Sequence, residues 1–188
     1  MRVYFSGSHG IGKSTLCRYV SKKYNLPMIT ECARMVLSEK ELQINTLRFD
    51  LDIVDNYQNE VFERQLQEEQ KYKDFVSDRS FDFLAYTAEH ARILSNLINS
   101  PRLQAYILTL KAPDCFIFHV KPCKATLVAD GVRENLTWDG ITAIDAMVKL
   151  LIQLFGLRCF QINTDSMQER VQLVDAVLSC HIDVYKGM

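Results

Sequence analysis

Apolar positions along the chain follow two rhythms. Short, nearly unbroken runs at Val3–Phe5, Met28–Thr30, Phe75–Ser77, Cys115–Val120 and Cys159–Ile162 read as strands buried on both faces. Between them lie longer stretches in which apolar residues return every three or four positions, the helical period. These predict helices at Lys13–Tyr24, Leu47–Lys71, Asp82–Leu97, Pro101–Leu110, Ile141–Phe155 and Met167–Cys180. Pro101 after Asn99-Ser100 suits a helix start, and Gly156 suits a helix stop. Strands alternating with helices predict an α/β fold: a parallel sheet covered on both faces, with its ligand at the carboxyl ends of the strands.

Composition narrows this frame. With 188 residues, 48% of them hydrophobic, and no repeat or Pro/Gly-rich linker, the expectation is one domain spanning 1–188. The net charge of −1 gives no global basic field for nucleic acid or an anionic membrane. The cysteines (Cys17, Cys32, Cys115, Cys123, Cys159 and Cys180) form no C-x-x-C pair, which speaks against zinc. Cys115 and Cys159 open strand-like runs, as reduced, buried thiols do. Arg2 is followed at once by a strand, so no leader is expected, and no apolar run approaches transmembrane length. A reducing cytoplasm is the expected location.

The most informative segment is Gly7-Ser8-His9-Gly10-Ile11-Gly12-Lys13-Ser14, which fits G-x-x-x-x-G-K-[ST] between a strand and a helix. Glycines let the backbone close around a phosphate with consecutive N–H groups pointing inward. The helix beginning near Gly12 adds its positive end. The predicted nucleotide site is therefore Gly7, Ser8, His9, Gly10, Ile11, Gly12, Lys13, Ser14 and Thr15, with His9 contributing its backbone. Lys13 is expected at the β- and γ-phosphates and the Ser14 hydroxyl on Mg²⁺, which makes ATP with Mg²⁺ the expected ligand pair.

A second segment ends the run at Phe75–Ser77 with Asp78-Arg79-Ser80. An acid there is placed to support the Mg²⁺ shell, and the other reading is a helix cap. Hydrolytic ATPases commonly need a glutamate at the next position to activate water. Arg79 is instead suited to holding a phosphate or orienting an acceptor hydroxyl. No N-K-x-D motif follows the last strand, where Asn163-Thr164-Asp165 lacks the lysine.

The remaining candidates form an acceptor side. Glu31, at the end of the second strand, is a base or an anchor for a hydroxyl, or simply an acid favoured by a helix start. Arg34 shares its face, or is solvated. Tyr57 lies on the long helix, where aromatics stack on a base or form a core stripe; Gln58 and Gln65 are weaker candidates for reading a base edge. Asp82 and Tyr86 stand one turn apart after Arg79, and Tyr86 is as well suited to the core. The basic segment 121–140 reads as a lid, with Arg133 neutralising developing charge or remaining a solvated loop residue. His90, His119 and His181 read as packing or surface residues. The long helix also offers a face for a homodimer.

Taken together, Gly7–Ser14, Glu31-Cys-Ala-Arg34, Asp78-Arg-Ser-Phe-Asp82 with Tyr86, and Asp130-Gly-Val-Arg133 resemble a known group in order and spacing. They are similar to small P-loop kinases and AAA-like ATP-binding domains related to the ribosylnicotinamide kinase domain of bifunctional NAD-biosynthesis proteins. Asp78-Arg79-Ser80 more distantly resembles the signature of deoxynucleoside and thymidylate kinases. The resemblance implies a three-layer P-loop NTPase fold with five parallel strands in the order 2-3-1-4-5. It implies a transferase of nucleotide metabolism that moves the ATP γ-phosphoryl group to a nucleoside, nucleotide or nucleoside-like acceptor. Lys13 and Ser14 would then hold phosphate and metal, Asp78 would support Mg²⁺, Glu31 would contact the acceptor hydroxyl, and Arg79 and Arg133 would stabilise the transferred group. Many nucleotide monophosphate kinases have several lid arginines where this chain has Arg133, which leaves room for a plain hydroxyl acceptor. Hydroxymethylpyrimidines within DNA are the alternative acceptor, and a non-catalytic ATP-sensing module is the second alternative.

Overall fold

Tyr4 in the first strand faces one helical layer, while its neighbours Val3 and Phe5 face the other. That alternation, the period-two geometry of a strand with both faces buried, organises the molecule. The structure, a computed structural model, describes residues 1–30, 32–39, 50–124 and 137–186. Its strands are β1 (Arg2–Ser6), β2 (Met28–Ile29), β3 (Phe75–Ser77), β4 (Cys115–Val120) and β5 (Cys159–Ile162). They form a five-stranded sheet in the order β2-β3-β1-β4-β5, all pairs parallel. This is the order that the sequence resemblance implied. Tyr4 pairs with Ser77 of β3 and Ile117 of β4, so β1 is the central strand.

The described helices are α1 (Lys13–Tyr24), α2 (Cys32–Glu39), α3 (Leu51–Gln70), α4 (Phe83–His90), α5 (Leu94–Asn99), α6 (Pro101–Leu110), α7 (Trp138–Phe155) and α8 (Met167–Lys186). On one face Val3, Phe5, Phe116 and Phe118 pack with Leu16 and Val20 of α1 and Val174 and Leu178 of α8. On the other, Tyr4, Phe75, Cys115 and Ile117 pack with side chains of α2 to α7, among them Val61, Leu84, Leu103 and Val148.

Local chemistry explains several helix ends. Asp50 accepts from the N–H groups of Asp52 and Ile53 at the start of α3, and Ser100 accepts from Leu103 N ahead of Pro101 in α6. Gly156 ends α7 in the left-handed region. The stretch predicted as one helix, Asp82–Leu97, is two. Ala91 is extended, and Arg92 donates its backbone N–H and its side chain to Asp55 and Asp52 of α3, which pulls the chain out of the helical path. Helix α2 was not predicted. No helix among the described residues is long and apolar enough to cross a membrane.

Candidate active site

At the carboxyl edge of β1 the chain turns through Gly7, Gly10 and Gly12, with φ of 137°, 75° and 92°. Side chains rarely adopt these values, and glycine reaches them freely. Gly7 has a second reason. A Cβ there would stand 2.7 Å from the Val120 carbonyl oxygen of β4. Helix α1 then starts with no side-chain cap, which leaves the positive end of the helix suited to an anion.

Lys13 folds back along this loop and donates to the carbonyls of Gly7 at 2.7 Å and Ser8 at 2.5 Å. Ser14, one residue on, donates its hydroxyl to Asp78 Oδ2 at 2.7 Å. The pairing of β1 with β3 produces this meeting, since it brings the end of β3 beside the phosphate loop. The buried Asp78 Oδ1 has no hydrogen-bond partner among the described residues. An ion-binding hydroxyl beside a carboxylate with one oxygen to spare fits a hard, oxygen-seeking cation such as Mg²⁺.

The turn after β3 is built from α3. Gln65 donates to Ser77 Oγ at 3.1 Å and, at longer range, to the Arg79 carbonyl, while Ser77 Oγ donates to that carbonyl at 2.8 Å and accepts from Arg79 N. Asp82 Oδ1 accepts from Ser80 N at 2.7 Å and closes the turn. The Arg79 guanidinium lies 6.0 Å from the centre of the Tyr86 ring. Burial works against its charge, but Tyr86, Asp82, Asp78 and Tyr57 outweigh it and raise its pKa. Burial likewise pushes the Asp82 carboxyl up, against the pull of Lys13 and Arg79. Tyr86 receives the His9 ring, stacked at 5.9 Å, with Nδ1 3.1 Å from the Tyr86 hydroxyl. Tyr57 donates to the Ala33 carbonyl at 3.3 Å and ties α3 to α2.

The structure thus gathers Lys13, Ser14, Asp78, Arg79, Asp82, Tyr86 and Tyr57 around one sheet edge. Glu31 and Arg133 lie outside the described residues, as do positions 125–136 of the expected lid. Arg34 stands on α2. Sequence reasoning missed the His9 side chain, whose ring stacks on Tyr86, and it did not foresee that Gln65, a weaker candidate for reading a base edge, is buried as a brace for Arg79. His119 is fully buried, with Nδ1 2.8 Å from Gln161 Oε1 and Nε2 2.9 Å from Asp145 Oδ1, which suits the packing role expected of it.

A family model described as AAA domain matches residues 2–170. The chain belongs to this AAA domain family. No curated protein is significantly similar to it. Among solved structures, the AAA domain resembles NadR protein solved in complex with NR, with a TM-score of 0.68 at 16% identity over 93% of this chain and 50% of that one. It spans about half the length of the NadR chains it matches. YorR protein from Bacillus subtilis, in complex with phosphorylated GDP, matches with a TM-score of 0.64 at 14% identity over 98% of both chains. Deoxyadenosine kinase from M. mycoides with bound dATP matches with a TM-score of 0.63 at 13% identity over 95% of this chain and 100% of that one. At these identities the likeness establishes the fold of the AAA domain, which is that of P-loop kinases.

Proposed function

We propose that this AAA domain is an ATP-dependent kinase that transfers the γ-phosphoryl group to a nucleoside, nucleotide or similar small acceptor. The observation that carries this reading is the Ser14–Asp78 contact continued directly by Arg79, a cation held toward Tyr57, Asp82 and Tyr86. A water-activating acid at that position would favour hydrolysis, whereas a fixed guanidinium favours transfer to a positioned acceptor. NadR, YorR and deoxyadenosine kinase, each solved with a nucleoside or nucleotide, support an acceptor of that class.

In this mechanism the loop N–H groups and Lys13 bind the phosphates, and Ser14 and Asp78 hold Mg²⁺. The metal supplies charge neutralisation across the phosphates when bound. Arg79 orients the acceptor or the transferred group, and Asp82 and Tyr86 line its approach. Glu31, as base or anchor, and Arg133, from the lid, complete the proposed set.

The test is a screen of ATP consumption with Mg²⁺ against nucleosides, nucleoside monophosphates, nicotinamide riboside and hydroxymethylpyrimidine-containing DNA, with product read by mass. One added phosphate on one small acceptor, lost in Lys13→Ala, supports the reading. Transfer to DNA alone, or nucleotide binding with no phosphorylated product, would overturn it.

A further inference from the structure

Arg170, on the first turn of α8, is fully buried beneath the phosphate loop and has no part in the chemistry above. Its Nη1 donates to the Ile11 carbonyl at 2.6 Å and its Nε to the Thr164 carbonyl at 2.8 Å. Nη2 is buried with no acceptor among the described residues, so none of the three nitrogens donates to a carboxylate there. Burial pulls the guanidinium pKa below its ordinary value, against Cys123 and Asp165, which raise it. A buried charge is costly unless it is paired and hydrogen-bonded, so this arginine calls for an explanation beyond packing.

The geometry supplies one. In a trans peptide the C=O and N–H point to opposite sides, and no cis peptide occurs among the described residues. The Ile11 carbonyl is drawn inward to Arg170, which turns the N–H of the same peptide, that of Gly12, away from the protein body. Gly12 has φ of 92°, and a Cβ on it would stand 3.4 Å from Arg170 Nη1 and 3.2 Å from the Met167 side chain. The loop therefore rests directly on α8 at this peptide.

We propose that Arg170 is a positioning residue for the nucleotide. It fixes the Ile11–Gly12 peptide so that the Gly12 N–H faces a β-phosphate, and it ties the phosphate loop to the β5–α8 connection through Thr164. The cation also places a positive charge under the loop, with no carboxylate hydrogen-bonded to it among the described residues, and this charge favours the phosphates. The inference rests on the nucleotide-binding half of the kinase reading.

The test is calorimetric titration of wild type, Arg170→Met and Arg170→Lys with Mg–ADP and with AMP. The quantity read is the ratio of the two dissociation constants, which a general loss of packing does not change. The expected result for Arg170→Met is a fall of roughly ten-fold or more in the preference for ADP over AMP, the scale of a charge-assisted hydrogen bond. Arg170→Lys keeps the charge but not the two-point grip, so a smaller fall is expected, and it carries the test if the methionine variant does not fold. A folded variant with the wild-type ratio would overturn the proposal. A wild type that binds ADP no better than AMP would instead remove the donor reading, and this proposal with it.

Discussion

The Ser14 hydroxyl and Asp78 carboxylate meet at 2.7 Å, at the place proposed for the metal. Asp78→Asn keeps the shape and removes the charge. We expect the Mg²⁺ concentration needed for half-maximal activity to rise about 10- to 100-fold, the cost of losing a support to a metal shell. A metal titration of turnover checks this, and an unchanged midpoint would place the metal elsewhere. Gly7 is constrained differently. A methyl group there meets both a φ of 137° and the Val120 carbonyl oxygen at 2.7 Å. Because that neighbour is backbone of the buried strand β4, it cannot move aside cheaply. Gly7→Ala is expected to destabilise the fold by about 1–3 kcal/mol and to weaken nucleotide binding, measured by urea unfolding and Mg–ADP titration.

At the scale of elements, α8 is pinned to α1 by one carboxylate. Asp175 accepts from Tyr19 at 2.5 Å, Lys23 at 2.7 Å and Tyr24 at 2.9 Å. Burial works against its ionisation, but Lys23 and the two tyrosines outweigh it and hold its pKa below the ordinary value. A lowered carboxylate pKa stabilises the fold above the unfolded-state value, and that stability is lost as pH falls through the folded one. Asp175→Asn should therefore cost about 1–2 kcal/mol at pH 7, a Tm drop of roughly 2–8 °C, and the gap should close only below about pH 4. A gap that grows on acidification would contradict the assignment. The same elements show what the sequence made legible. The five strand runs could be read because β1, β3 and β4 are buried on both faces, which leaves short apolar runs between helical periods. Gly7–Ser14 could be read because phosphate binding demands fixed local spacing. The break between α4 and α5 could not, because Arg92 is captured by Asp52 and Asp55 from α3, far away in the chain. Gln65 bracing Arg79 and His9 stacking on Tyr86 likewise exist only once β3 lies beside β1.

At the scale of the whole molecule, the order β2-β3-β1-β4-β5 sets the phosphate loop at the centre of the sheet edge, between a core shared with α1 and α8 and a core shared with α2 to α7. The loop joins β1 to α1 and rests on α8 through Arg170, so it keeps its shape only while the sheet and both helices are assembled. A nucleotide held by that loop binds the folded chain and not the unfolded one, and its binding energy adds to stability. Mg–ADP at about 100 times its dissociation constant should contribute about 2.7 kcal/mol, or a Tm increase of roughly 5–11 °C for a chain of this size. Lys13→Ala should lose most of that increase at the same ligand concentration, since it removes a phosphate contact and leaves the core intact. Asp175→Asn should start from a lower Tm and keep the full increase, because its contact lies between α1 and α8 away from the loop. Thermal unfolding of the three proteins with and without ligand separates these effects. A wild type whose Tm ignores Mg–ADP would remove the nucleotide reading, whereas an increase retained in full by Lys13→Ala would mean that the ligand binds outside the phosphate loop.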